Sequence, residues 1–124
     1  MTYDIYMDFI LENYKNPKNY GKIEKPNATS RGLNPLCGDE LEIFLIIDKN
    51  IIKDIKFTGK GCAISIASAS ILTEMVKGKD LDYVKNLKEN DLLNALGIEI
   101  SPARIKCALL SYKTLKEAIS NIKN

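Results

Sequence analysis

The chain has 124 residues, about the length of one domain and enough to bury roughly two-thirds of its unfolded surface without staples. Hydrophobic residues make up 45% and charged ones 27%, a composition that is globular rather than disordered. Eighteen basic and sixteen acidic residues leave a net charge of +2, and with few aromatics this excludes a basic stacking platform for nucleic acid. There is no His, which removes His-based triads, HExxH zinc sites and His general bases together. Any metal must then be held by sulfur and oxygen. The longest uncharged apolar stretch, residues 63–72, is rich in Ser and Ala and falls well short of the ~20 apolar residues of a membrane span. The opening MTYDIYMDFILENY lacks a basic n-region, so no signal peptide is expected and the reading is cytoplasmic.

Thr2 opens a first helix in which Tyr3, Tyr6, Phe9 or Ile10, and Tyr14 recur at helical spacing. That aromatic stripe reads as a packing face, and Asn16-Pro17 ends it. Residues 17–35 show no helical period, with a weakly signalled strand over 28–33. ELEIFLIID reads as a strand with Leu41, Ile43, Leu45 and Ile47 on one face. A turn at Asp48-Lys49-Asn50 leads to IIKDIKFTG, with Ile55 and Phe57 on one face, so the pair is an antiparallel hairpin. Gly59 and Gly61 are expected to break this strand. A helix follows over 64–77 with Gly78 just past its end, then short helices in LDYVKNL and ENDLLNALG, the second closed by Gly97. Ser101 and Pro102 are placed at the N-cap and first position of a last helix, whose period runs through Ile105, Leu109, Tyr112, Leu115 or Lys116, Ile119 and Ile122. Helix, small antiparallel sheet, then helices make an α+β layered domain, a single domain over residues 1–124.

Cys37, Cys62 and Cys107 are an odd number of thiols in a chain read as cytoplasmic, which argues against a disulfide framework. Each falls at a boundary between elements. Cys37 lies in NPLCGDE before a strand and Cys62 in GKGCAIS before a helix. Cys107 lies in SPARIKC in the second turn of the last helix, off the stripe of Ile105, Leu109 and Tyr112. A helix N-terminus favours thiolate at Cys62 and Cys107, and Lys60 and Lys106 lie close by in sequence. Glycines 38, 59 and 61 allow close approach to a bulky group. Asp39 is the candidate fourth ligand, since Cys37-x-Asp39 in extended chain puts both side chains on one side. A site of three Cys and one Asp suits Zn²⁺ or an iron–sulfur cluster with one weak ligand. The alternative is that the thiols are small buried hydrophobes. Ser65, Ser68 and Ser70 have no base to activate them and read as small packing residues. Arg104 and Lys106 read equally as solvated first-turn residues or as a surface that steers an acidic partner.

NPLCGDE, GKGCAISIASAS and PARIKCALLSYKTL resemble the iron–sulfur cluster assembly scaffolds of the IscU and SufU type, also found as the N-terminal domain of NifU. MDFILENYKNPKNYG resembles that family's first helix and turn, and the likeness spans residues 5–118. It implies a three-stranded antiparallel sheet with about five helices on one face and three cysteines gathered at an exposed end. It also implies a scaffold that takes persulfide sulfur from a cysteine desulfurase, transiently holds a [2Fe–2S] cluster and passes it to acceptor proteins. Cys37, Asp39, Cys62 and Cys107 match the family's site, with Cys107 as the sulfur acceptor, and a homodimer around the cluster is left open. Lys106 stands where IscU-type members carry His, as in SufU-type members, and ISPARIK replaces the LPPVK segment. The insertion of SufU types before the third cysteine is lacking. A zinc-dependent sulfurtransferase that stimulates a desulfurase is therefore the alternative to a non-enzymatic scaffold. A structural zinc domain is the third reading, and it fits less well because structural zinc usually closes on short Cys and His spacings.

Overall fold

The computed structural model describes residues 2–35 and 38–122, with side chains from Ile5 onward. The order is α1 (Thr2–Lys15), β1 (Ala28–Asn34), β2 (Asp39–Asp48), β3 (Ile51–Lys60), α2 (Ala63–Val76), α3 (Leu81–Asn86), α4 (Glu89–Leu96), a 3₁₀ turn (Pro102–Arg104) and α5 (Ile105–Ser120). The sheet is antiparallel in the order β1-β2-β3. The α+β single domain expected from the sequence is the one observed.

Alternation in β2 places Leu41, Ile43 and Leu45 on the covered face, all fully buried. Lys49 and Asn50 both have positive φ, 54° and 65°, the conformation a two-residue hairpin turn needs. β3 contains one residue more than strict alternation allows. The register shifts between Ile46 and Ile47, which pair with Asp54 and Ile52, so Lys53 bulges out. The bulge turns Ile52 inward beside Ile55 and Phe57, all three fully buried, and leaves the Lys53 amine exposed near Asp48.

β3 is not broken at Gly59; it runs to Lys60. Gly59 lies opposite Leu41, and a Cβ there would stand 2.2 Å from the Glu40 carbonyl oxygen. This glycine therefore permits close strand pairing rather than ending it. The outer edge of β3 is covered at both ends. Gly21 N–H donates to Phe57 O at 2.8 Å and Phe57 N–H to Asn19 O at 3.0 Å, while Ile52 N–H donates to Lys79 O at 2.9 Å. An otherwise open edge is thus paired by the flanking chain.

The helices lie on one face of the sheet, α5 across β1 and β2, α2 beside β3, and α1 against α2. Ten of the fourteen residues of α2 are buried, as befits a helix enclosed on several sides. Its Ala and Ser residues let the neighbouring layers approach. Gly32 admits α5 onto β1, since a Cβ there would lie 2.0 Å from Thr114 Oγ1. Gly78 and Gly97 take φ of 83° and 76° just past α2 and α4, the positions expected of them. At the far end, Tyr112 O–H donates to Leu87 O at 2.8 Å, and Lys116 Nζ donates to Val84 O and Lys85 O at 2.7 and 2.9 Å. These bonds satisfy carbonyls at the end of α3 and tie it to α5.

The aromatic stripe of α1 is not a core face. Tyr6, Phe9 and Tyr14 are each more than 40% exposed, whereas Ile10 and Asn13 are buried. Asn13 Oδ1 accepts from Ser70 Oγ at 2.7 Å, and Ser70 Oγ in turn accepts from Lys18 N–H at 2.8 Å. An outer helix docked through a narrow strip of Ile10 and Asn13 leaves its aromatic flanks largely outside. The capping role read for Thr2 and the packing of Tyr3 lie outside the described side chains. At the last helix, Ser101 makes no side-chain cap bond and Pro102 starts a 3₁₀ turn, so α5 begins only at Ile105. Among the described residues no helix is long and apolar enough to cross a membrane.

Candidate metal centre

Three element starts meet at one end of the sheet. The β1–β2 connection is closed by Asn34 and Asp39, which pair directly. Gly38 takes φ of 71° just before β2, a conformation that favours glycine. Cys37 belongs to this connection and lies outside the described residues.

Asp39 is 1% exposed. Its Oδ1 accepts the Cys62 backbone N–H at 3.0 Å and its Oδ2 accepts Ser65 Oγ–H at 2.7 Å. Cys62 is the N-cap residue of α2 and its own side chain makes no capping bond. Asp39, arriving from the sheet, therefore caps the helix in its place, where the helix dipole also favours a carboxylate. Gly61 makes room for it, because a Cβ there would stand 2.5 Å from Asp39 Oδ1.

Cys107 is the third residue of α5 and fully buried. The sequence period had left it off the apolar stripe. The helix instead buries a wide face that includes Cys107, Leu110, Ser111, Thr114 and Ala118, because β1, β2, α2 and α4 all pack on it. Cys107 is thus not at an exposed end. Asn34 Nδ2 donates to its Sγ at 3.7 Å, and Ser65 Oγ lies 3.3 Å from its carbonyl oxygen. Cys62 is half-buried. Arg104 and Lys106 are exposed on the solvent side of the turn.

One ligand atom each from Asp39, Cys62 and Cys107 lie within 4.8 Å of one another. Two thiolates on one tetrahedral zinc stand about 3.8 Å apart for Zn–S bonds of ~2.3 Å, so the trio needs a contraction of about an ångström or less to close on an ion. Two sulfurs and a carboxylate also match the donors preferred by zinc and by cluster iron. The residues present fit such a group. Three of the four ligands named from the sequence are therefore assembled; the fourth, Cys37, is two positions from Asp39 in the connection that the site borders.

Two residues escaped the sequence. Ser65 is buried, as a packing residue should be, but its hydroxyl also fixes the Asp39 carboxylate. Its place three residues after Cys62, where an N-terminal side chain commonly bonds a cap, was the available signal. Asn34 occupies the last inward position of β1, and its place as the first residue of NPLCGDE, a polar residue in a buried slot, was its only mark.

The chain belongs to the family of NifU-like N-terminal domains, whose model matches residues 5–124. The zinc-dependent sulfurtransferase SufU of Bacillus subtilis (strain 168) is 35% identical over 133 residues, covering 94% of this chain and 90% of that protein. The iron-sulfur cluster assembly scaffold protein IscU of Thermotoga maritima is 34% identical over 134 residues, covering 95% and 94%. Both matched stretches exceed the 124 residues here, so both relatives carry residues without a counterpart in this chain. Extra length is thus found in a relative of either name. A crystal structure of a putative iron-sulfur cluster assembly scaffold protein for the SUF system from Fervidobacterium islandicum AW-1 superposes with a TM-score of 0.79 at 36% identity, covering 96% of this chain and 99% of that one.

Proposed function

We propose that this chain is an iron–sulfur cluster assembly scaffold. The observation that carries the reading is the convergence of Asp39, Cys62 and Cys107 within 4.8 Å, beside the connection that contains Cys37. In this reading Cys37, Asp39, Cys62 and Cys107 receive a [2Fe–2S] cluster as cargo. A carboxylate holds cluster iron less firmly than a thiolate does, which suits a site that must give its cargo up to acceptor proteins.

Sulfur arrives from a cysteine desulfurase. The Cys107 thiolate attacks the outer sulfur of the donor's persulfide; the donor S–S bond breaks, its cysteine leaves as thiolate, and Cys107 carries the new persulfide. Cys107 is the third residue of α5, in its first turn. Its burial requires that the side chain be uncovered as the desulfurase docks.

A zinc-dependent sulfurtransferase is the second reading, favoured by the likeness to the Bacillus protein and by the fit of the closed donor set to zinc. Zinc would hold the thiolates and lower their affinity for protons. Anaerobic purification with metal and sulfide analysis separates the two, run with and without desulfurase, cysteine and iron. A scaffold acquires iron and acid-labile sulfide in equal amounts. A sulfurtransferase keeps zinc, acquires no cluster and raises desulfurase turnover at sub-stoichiometric amounts. A protein that does neither overturns both readings.

A further inference from the structure

We infer that Asn34 is a positioning residue that holds Cys107 turned into the site and restrains its sulfur until a partner displaces it. The inference rests on the reading of Asp39, Cys62 and Cys107 as one site. Asn34 is 7% exposed, in a slot facing α5 where an apolar side chain would pack without desolvating an amide. A buried amide is costly unless its donors are used, and here Nδ2 donates to Cys107 Sγ at 3.7 Å.

The partner of Asn34 across the sheet is Asp39. The two residues that close one hairpin therefore hold the starts of two helices: Asp39 grips α2 through Cys62 N–H and Ser65, and Asn34 grips α5 through the Cys107 sulfur. An N–H donor on a sulfur withdraws electron density from it. It also fixes the direction in which the side chain points. The first makes the thiolate a weaker nucleophile and the second narrows its line of approach, and both tune the bond it makes to a metal, as neighbours of metal ligands generally do. The full burial of Cys107 beside a half-buried Cys62 is the resting arrangement that this bond maintains.

Asn34→Leu and Asn34→Ala test it, one keeping the branched outline of the side chain and one removing it. In the metal-free protein, pulse alkylation mapped by mass spectrometry and taken at its alkaline plateau, where the thiolate fraction no longer limits the rate, should label Cys107 about fivefold to tenfold faster in both variants, the factor for one lost neutral hydrogen bond. The rate at Cys62 should stay unchanged. With Co²⁺ bound, the thiolate-to-metal charge-transfer band should move to lower energy in both, because a sulfur without its donor gives up an electron more readily. Acceleration in the Ala variant alone traces to lost packing and overturns the inference, as does an unmoved pair of rates and bands. Should Leu prevent folding, the cobalt band of the Ala variant decides alone. A wild-type protein with no thiolate–cobalt band overturns the metal site itself, and the alkylation rates still decide the role of Asn34.

Discussion

Gly61→Ala asks whether the Asp39 carboxylate is held as tightly as its contacts imply. The added methyl carbon would stand 2.5 Å from Oδ1, 3.0 Å from Cγ and 3.2 Å from Cβ of Asp39. Ordinary contact begins near 3.5 Å, so about 1 Å of separation must be found. The carboxylate has little freedom to provide it, being fixed by Cys62 N–H at 3.0 Å and Ser65 Oγ at 2.7 Å. The backbone of Gly61 is not in the left-handed region, so Ala brings no strain of its own. Where nothing is in the way, Gly→Ala stabilises by about 0.4–1 kcal/mol through the unfolded chain. Here the displaced carboxylate leaves a buried acceptor and its donors poorly matched, a loss of about 1–3 kcal/mol. The net expectation is a destabilisation of roughly 1–2 kcal/mol, read from urea unfolding of the metal-free protein. Cobalt affinity, read by competition with a chromophoric chelator, should fall about tenfold to a hundredfold as the ligand is mis-aimed. An unchanged or raised urea midpoint with unchanged affinity would refute the reasoning.

Asp39→Ala should slow release of an assembled cluster to an apo-acceptor, because the exchangeable oxygen ligand is gone; faster decay of the donor's visible charge-transfer absorption counts against an Asp ligand. Gly32→Ala should cost about 1–3 kcal/mol by overpacking β1 against Thr114 of α5. Adding Thr114→Ala should recover part of that loss, and a purely additive double variant would deny the contact. Burial, then the charges of Glu89 and Asp91, raise the Tyr112 phenol above its ordinary 10.0. Its contribution to stability is therefore full below the unfolded value and lost as pH rises through the higher folded one. Tyr112→Phe should flatten the alkaline fall in the urea midpoint above about pH 10, and an unaltered slope would refute this.

The sheet was legible because Leu41, Ile43 and Leu45 alternate with Glu40 and Glu42 at the start of β2 and a turn cluster separates it from β3. The bulge was not, since Lys53 gives no local sign that Ile52 will take its place inward. α1 was located correctly but its inner face was misjudged. Hydrophobicity marks Tyr6, Phe9 and Tyr14, whereas docking is decided by Ile10 and a polar chain through Asn13 and Ser70 that pairs residues 57 positions apart. The site was partly legible for the opposite reason. Cys37 and Cys62 stand at element boundaries with a glycine beside each and so stand out from the apolar pattern, whereas Cys107 falls off a stripe that is wider in the structure than the period implies. The contacts that orient them run from β1 to α5 and from β2 to α2, separations of 73 and 26 residues for Asn34–Cys107 and Asp39–Ser65, and no local period encodes them.

The arrangement of Asp39 explains how one carboxylate can serve both fold and function. An ionised carboxylate offers about four lone-pair sites over two oxygens. Cys62 N–H takes one on Oδ1 and Ser65 takes one on Oδ2, which leaves each oxygen with a further acceptor direction for a metal. Capping α2 and binding an ion are then compatible, and the ligand stays aimed before the ion arrives and after it leaves. Had Cys62 capped its own helix, its sulfur would have been spent on the backbone. Because a residue from the neighbouring strand does the capping, the thiol at the helix start remains at the disposal of the site. The same division recurs on α5, where Asn34 from β1 meets the sulfur while the helix start is left to a 3₁₀ turn. The sheet thus supplies the groups that orient the cluster, Asn34 and Asp39, and the helix starts supply the two thiols that meet them, Cys62 and Cys107.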